Sequence, residues 1–342
     1  MSPTPTSKTS RASRALLAAG GYMLLGWEGT GLEEPLELVE KFRPAGLVFF
    51  KRNYPGGGGE ELRRQLRTLQ ARALEVMDRP LLIAIDHEGG TVRRLPAPHL
   101  QTPSARESFE RGGLGGVFET ALNAGRELAW LGFNLNLAPV LDLRVEGSFL
   151  TTRCFSSDPA EVAACAKVFV DGFRQAGVLC CGKHFPGLGA AGRDPHAAMP
   201  SVELDKKQMQ SHLRPFKDLV EAGLPMIMTS HCLYPGVGLD KPATFAKEIP
   251  DLLRRELNFE GLILSDDLEM GAVTTSMTPG EAALGAVLAG HDLVLVCRRR
   301  EPALEARAAL AGALESGVIG DNQFVESYGR LCSVVDASLG FE

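Results

Sequence analysis

The chain has no excess of basic residues: 36 Lys and Arg stand against 42 Asp and Glu, a net charge of −6. A dedicated nucleic-acid binder needs a dominant basic face, and this balance excludes one. Aromatic residues make up only 6%, which argues against a platform for stacking bases. No apolar run reaches the length of a membrane span. The seven cysteines (Cys154, Cys165, Cys180, Cys181, Cys232, Cys297 and Cys332) contain no C-x-x-C pair, so neither a zinc ribbon nor a redox motif is present. Their odd number, and their place in apolar runs such as Val178–Cys181, point to buried free thiols in a reducing compartment rather than disulfides. The histidines show neither H-x-H nor H-E-x-x-H spacing, so no metal is expected to be required. No linker divides the chain, and no repeat is visible beyond its strand–helix units.

What is present is a globular composition, 44% hydrophobic and 23% charged over 342 residues, enough for one large α/β barrel or two small domains. Lys8, Arg11 and Arg14 precede the apolar run Ala15–Gly26, as in a signal peptide, but no small-residue cleavage site follows. Residues 1–14 are therefore read as a disordered tail and 15–342 as one domain whose first strand is Gly21–Trp27. A cytoplasmic protein with no cleaved leader is expected. Seven further short apolar runs follow: Gly46–Phe50, Leu81–Ile85, Asn134–Val140, Val178–Phe185, Pro225–Ser230, Gly261–Ser265 and Asp292–Cys297. Between most of them lie segments of helical period: Glu60–Met77, Gly116–Leu131, Pro159–Ala176, Asp205–Ala222 and Thr278–Ala289. Strand–helix alternation with continuously apolar strands implies a parallel sheet covered by helices. Eight units predict a closed (β/α)8 barrel, with an open doubly wound sheet as the other reading. Polar residues gather where the runs end, from Glu28 through Asp86, Asp142, Lys183, His184, His231 and Asp266 to Arg298. A barrel brings those ends to one face, where active sites are built.

Several of these ends carry chemistry. Gly187–Gly192 spells G-x-G-x-x-G after a strand, but Pro186, Pro195 and Pro200 deny it the helix a dinucleotide site needs, so the glycines fit a loop instead. That loop carries Asp194 and His196, two apart. A carboxylate beside an imidazole fixes its tautomer and raises its pKa, which suits a general acid or base; a surface turn is the plainer alternative. Asp266 and Asp267 end the seventh run. By strand alternation only one should face the mouth, as a nucleophile or half of a metal site, while Asp267 could simply cap a helix. Lys183-His184 and Asp86-His87-Glu88 end two further runs, and such groups at a barrel mouth bind sugar hydroxyls or phosphates. Arg93, Arg94 and Arg153 otherwise read as solvated charge.

Taken together, Gly46–Tyr54, Asp86–Arg94, Asn134–Asp142, Lys183–Gly189, Asp194–His196 and Ser265–Ala272 resemble the glycoside hydrolase family 3 β-N-acetylglucosaminidases, in particular the single-domain bacterial enzymes of cell-wall recycling. The resemblance covers roughly residues 20 to 300. It implies a (β/α)8 barrel and a retaining hydrolase in which Asp266 is the nucleophile and His196 the general acid/base, tuned by Asp194. Asp86, Arg94, Arg153, Lys183 and His184 would hold the non-reducing-end sugar. The implied substrate is a muropeptide fragment, GlcNAc-1,6-anhydro-MurNAc with or without peptide. No cofactor, metal, nucleic-acid or membrane partner is implied, and a monomer is expected. The chain departs from the family where His87 replaces a usual Gln, Leu188 a usual His and Pro195 a usual Ser. A β-N-acetylglucosaminide phosphorylase, a β-glucosidase of the same family and a non-catalytic sugar-binding barrel are the competing readings.

Overall fold

The structure, a computed structural model, describes residues 11–192 and 199–339. Its strands are β1 (Met23–Leu25), β2 (Gly46–Phe49), β3 (Leu82–Ile85), β4 (Leu135–Asn136), β5 (Leu179–Phe185), β6 (Met226–Thr229), β7 (Leu262–Asp267) and β8 (Leu293–Val296). All pair in parallel with their neighbours in chain order, and β8 returns to β1 through Leu24 opposite Leu295, so the sheet is a closed barrel. The open doubly wound sheet is thereby excluded, and each expected strand is present within a few residues of its apolar run.

Alternation along each strand divides the core in two. Leu24, Val48, Leu82, Ala84, Leu135, Met226, Leu262 and Leu264 fill the barrel interior. Leu25, Leu47, Phe49, Ile83, Ile85, Ile227 and Ile263 belong to a second cluster between the sheet and the helices. Burial on both faces is why these strands read as unbroken apolar runs. Closure is tight: a Cβ at Gly26, just past β1, would lie 1.8 Å from the Cys297 carbonyl oxygen.

Four of the described helices begin where a side chain satisfies free N–H groups. Helix α1 is Arg11–Gly20, α2 Glu33–Phe42 and α3 Glu60–Met77. Helix α4 (Ala105–Leu131) opens on a Ser104–Glu107 capping box, and α5 (Pro159–Gln175) on Asp158 with proline at its first position. Helix α6 (Lys206–Glu221) opens on an Asp205–Gln208 box. The short α7 (Glu248–Asp251) and α8 (Gly271–Thr274) precede α9 (Pro279–Ala289), which opens on a Thr278–Glu281 box. Helices α10 (Arg300–Ser316) and α11 (Asp321–Leu339) complete the chain.

Three features differ from the sequence reading. The boundary drawn after residue 14 falls inside α1, whose Ala15 and Ala19 are buried; residues 1–10 lie outside those described. Helix α4 starts at Ala105 rather than Gly116, because its first part is set off by a break at Gly113 (φ 57, ψ −148). Helix α11 closes the barrel floor, its Leu331 and Val335 packed on the interior cluster. Asp292, ahead of β8, ties it there by accepting from Ser327 Oγ at 3.0 Å and Arg330 Nε at 2.9 Å.

Candidate active site

The carboxyl ends of the strands surround a cavity of about 260 Å³. Asp86 follows the last residue of β3, and Glu88, two residues on, points the same way. Lys183, within β5, is 3% exposed and donates to both, 2.8 Å to Asp86 Oδ1 and 2.7 Å to Glu88 Oε1. Arg94 Nη2 lies 3.2 Å from Asp86 Oδ2. Arg153 grips Glu88 with both ends of its fork, at 2.8 and 2.7 Å, the geometry that makes Arg–carboxylate pairs strong. Burial alone would raise the pKa of either carboxylate. It is outweighed by Lys183 and Arg94 at Asp86, held well below the usual carboxylate range, and by Lys183 and Arg153 at Glu88, held at about 2. Burial likewise works against the charge on Lys183, but Asp86 and Glu88 raise its pKa. This wall of fixed charges presents acceptors and donors side by side, as sugar hydroxyls require.

His184 lines the cavity beside Lys183. Its Nδ1 is 2.7 Å and its backbone N–H 3.1 Å from Asp142 Oδ2, in the loop after β4, and the Leu188 N–H donates to Asp142 Oδ1. The buried Asp142 therefore sets the ring of His184, leaving Nε2 for the cavity. Leu188, one of the departures noted from the sequence, is buried and lines the same cavity. At the next residue, a Cβ at Gly189 would lie 2.0 Å from the Leu143 carbonyl oxygen. That glycine permits close packing, which is no phosphate cradle.

Across the cavity stand Asp266 and Asp267, the end of β7, and both line it. The expectation that only one would face the mouth is corrected here. The pairing of β7 with β8 shifts register between Leu264 and Asp267, and a bulge breaks alternation. The Asp267 N–H donates to Asp266 Oδ1 at 2.8 Å. Asp267 Oδ1 accepts from the N–H groups of Glu269 and Cys297 at 3.1 and 3.2 Å, a local turn rather than the cap of a longer helix. Burial pushes Asp267 up to about 7.

Asp86, Arg94, Arg153, Lys183, His184 and Asp266 thus line one cavity. Asp194 and His196, with Pro195, lie outside the described residues. The sequence places Glu88 and Asp142 at strand ends but counts neither among the catalytic or sugar-holding residues. The i, i+2 spacing from Asp86 could have found Glu88, whereas nothing in the sequence pairs Asp142 with His184. His87, another departure, is buried, with its N–H on Asn136 Oδ1 at 3.0 Å and Nε2 3.1 Å from Thr102 Oγ1. Among the described residues no cluster of His, Cys, Asp and Glu could hold a metal ion, and no helix is long and apolar enough to cross a membrane. A larger hollow of about 730 Å³ opens where the strands begin, near Val178, Pro225 and Gly261. Its charged members, Arg174 and Glu260, are exposed, so the smaller cavity is the chemical one.

Comparison with known proteins identifies the family. The family description "Glycosyl hydrolase family 3 N terminal domain" matches residues 28–334. A β-hexosaminidase of Idiomarina loihiensis is 36% identical over 272 residues, 76% of this chain and 78% of that one. A family 3 β-N-acetylglucosaminidase from Paenibacillus sp. superposes with a TM-score of 0.89 at 34% identity, over 93% of this chain. The match spans 61% of the Paenibacillus chain. NagZ from Neisseria gonorrhoeae, in complex with N-trifluoroacetyl-D-glucosamine, superposes with a TM-score of 0.74 at 27% identity, over 92% of this chain and 98% of that one.

Proposed function

The chain belongs to glycosyl hydrolase family 3, and on that premise we propose that it is a β-N-acetylhexosaminidase that removes terminal β-linked GlcNAc with retention of configuration. The observation that carries the reading is one small cavity in which Asp266 faces the wall of Asp86, Glu88, Lys183 and Arg153. At about 260 Å³ it lies below the roughly 300–1,000 Å³ typical of ligand pockets. That suits a single terminal sugar rather than an internal stretch of glycan.

In this reading the charged wall and His184 hold the ring hydroxyls, which sets the anomeric carbon before Asp266. Asp266 Oδ1 is held by the Asp267 N–H, and Oδ2 has no protein partner among the described residues, so it is available to attack. The attack forms a glycosyl ester as the C1–O bond to the leaving group breaks. His196, oriented by Asp194, donates its proton to the leaving oxygen. It then takes a proton from water, whose oxygen attacks C1 and frees Asp266. A histidine thus stands where most retaining enzymes carry a second carboxylate. The preferred substrate is a muropeptide fragment, GlcNAc-1,6-anhydro-MurNAc with or without peptide. A cytoplasmic monomer fits that role, and the free cysteines, six of the seven buried, suit a reducing compartment.

Turnover of an aryl β-N-acetylglucosaminide against the matched β-glucoside tests the proposal, with and without phosphate. The reading expects preference for the N-acetyl sugar and free GlcNAc as product in both buffers. Preference for glucoside, or GlcNAc-1-phosphate as the product, would overturn it.

A further inference from the structure

We infer that His231 is a positioning residue for the nucleophile, acting through the backbone of Asp267; this rests on the reading of Asp266 as nucleophile. His231 follows β6 and is fully buried. Its Nε2 is 3.0 Å from the Asp267 carbonyl oxygen and its Nδ1 2.8 Å from Thr244 Oγ1. A carbonyl only accepts, so Nε2 carries the hydrogen. Burial pushes the His231 pKa down, and the Thr244 hydroxyl, with a single hydrogen, stands between Nδ1 and the Ser230 carbonyl oxygen at 3.1 Å. The Asp267 carbonyl thus selects the ring form with its hydrogen on Nε2. Phe245 lies parallel to the imidazole, with ring centroids 6.2 Å apart, and fixes its plane.

The place where this contact lands matters. The β7–β8 register shifts between Leu264 and Asp267, so the ladder is interrupted at Asp266 and resumes where Asp267 lies opposite Leu295. Other groups help to hold the backbone there. The Asp267 carbonyl accepts from His231 Nε2 and from the Met270 N–H at 3.0 Å. The Asp267 carboxyl accepts from Glu269 and Cys297. With its carbonyl and side chain both fixed, residue 267 has its N–H aimed at Asp266 Oδ1. Thr244, His231 and Asp267 thus form a chain from the loop after β6 to the attacking carboxylate. His231 touches neither reacting atoms nor sugar in this scheme; its effect is on where Asp266 stands.

A histidine that merely fills space beside Phe245 would show a different mutational pattern. In the full chain, His231→Phe keeps an aromatic ring and loses the donor, His231→Gln keeps a donor near the Nε2 position and loses the ring, and Thr244→Val removes the polar contact at Nδ1 that steadies the ring. The readouts are kcat and KM on an aryl β-N-acetylglucosaminide, inhibition by GlcNAc and the unfolding temperature. His231→Phe should lower kcat by about 10- to 100-fold with KM and GlcNAc inhibition unchanged. His231→Gln should recover to within about 3-fold of the parent, and Thr244→Val should fall between. The inference is overturned if Phe and Gln lower kcat equally, if His231→Phe leaves kcat intact, or if only KM moves. Should His231→Phe not fold, Thr244→Val with parental kcat overturns it and an intermediate kcat supports it. Asp266→Ala separates the two layers. If it still turns over, the nucleophile assignment fails; if it is dead while His231→Phe is fully active, only the positioning role fails.

Discussion

Replacing Lys183 by methionine should destabilise the protein far more than loss of an exposed lysine would. Its ammonium is buried between two carboxylates, 2.8 Å from Asp86 and 2.7 Å from Glu88. Methionine fills a similar volume, so the main loss is charge compensation. Breaking a buried pair from one side costs about 3–5 kcal/mol, because the other charge stays behind. Unfolding entropy near 2.1 cal/mol/K per residue gives a chain this long about 0.7 kcal/mol per degree, so Tm should fall by about 4–7 °C. The pH dependence follows from the same geometry. In the parent, Glu88 is held at about 2 and Asp86 well below its usual range. Depressed carboxylates give stability that is present above the unfolded pKa near 4 and lost as pH falls through the folded value. In the variant, burial is opposed by Arg94 and Arg153 alone, both carboxylates titrate higher, and protonation relieves the misfit. The gap between parent and variant should thus be full at pH 7–8 and narrow as pH falls toward 4. Thermal unfolding followed by circular dichroism across that range measures it. Adding Asp86→Asn removes a stranded charge, so the double variant should lose less than the sum of the singles. A gap under about 1 kcal/mol at pH 7, or one that widens toward pH 4, would refute the reasoning. The test does not depend on which sugar the cavity holds.

Asp266→Ala should abolish turnover by several orders of magnitude with the fold intact, and a slow fluorinated substrate should label Asp266; label on Asp267 or Glu269 would overturn the assignment. His196→Ala should cut cleavage of a sugar leaving group by roughly 10²–10⁴ and largely spare glycosyl-enzyme formation from a nitrophenyl glycoside. Azide should partly restore the second step, and equal harm to both substrates with no azide effect would remove His196 from the acid/base role. Asp267→Asn should gain stability relative to the parent as pH rises from 4 to 7. Burial raises the Asp267 pKa to about 7, and a raised carboxylate costs stability between its unfolded and folded values; a gap independent of pH over that span would contradict this.

How much of this was legible in the sequence depends on whether a feature is local. The strands are, because burial on both faces leaves unbroken apolar runs, and the helix starts are, because Asp158, Asp205 and Thr278 cap them. The residues at the cavity follow from the strands: where an apolar run stops at a barrel's carboxyl end, the next polar residue reaches the mouth. That logic finds Asp86, Lys183, His184 and Asp266, and taken two residues further it reaches Glu88. Features made by contacts across the chain are not local. The run from Ala15 is as apolar as a strand, and Arg11–Gly20 is a helix because it packs on α2 and α10. Asp142 meets His184 only when β4 and β5 lie side by side. The Asp266–Asp267 pair lies between these cases. Alternation is a sound rule for a regular strand, and it sends the second carboxylate away from the mouth. A register shift that no composition signals turns both inward. The ladder gives way where the nucleophile is proposed to stand, so its geometry rests on side chains from other strands and loops. A sequence can name the attacking carboxylate and still leave unstated what holds it in place.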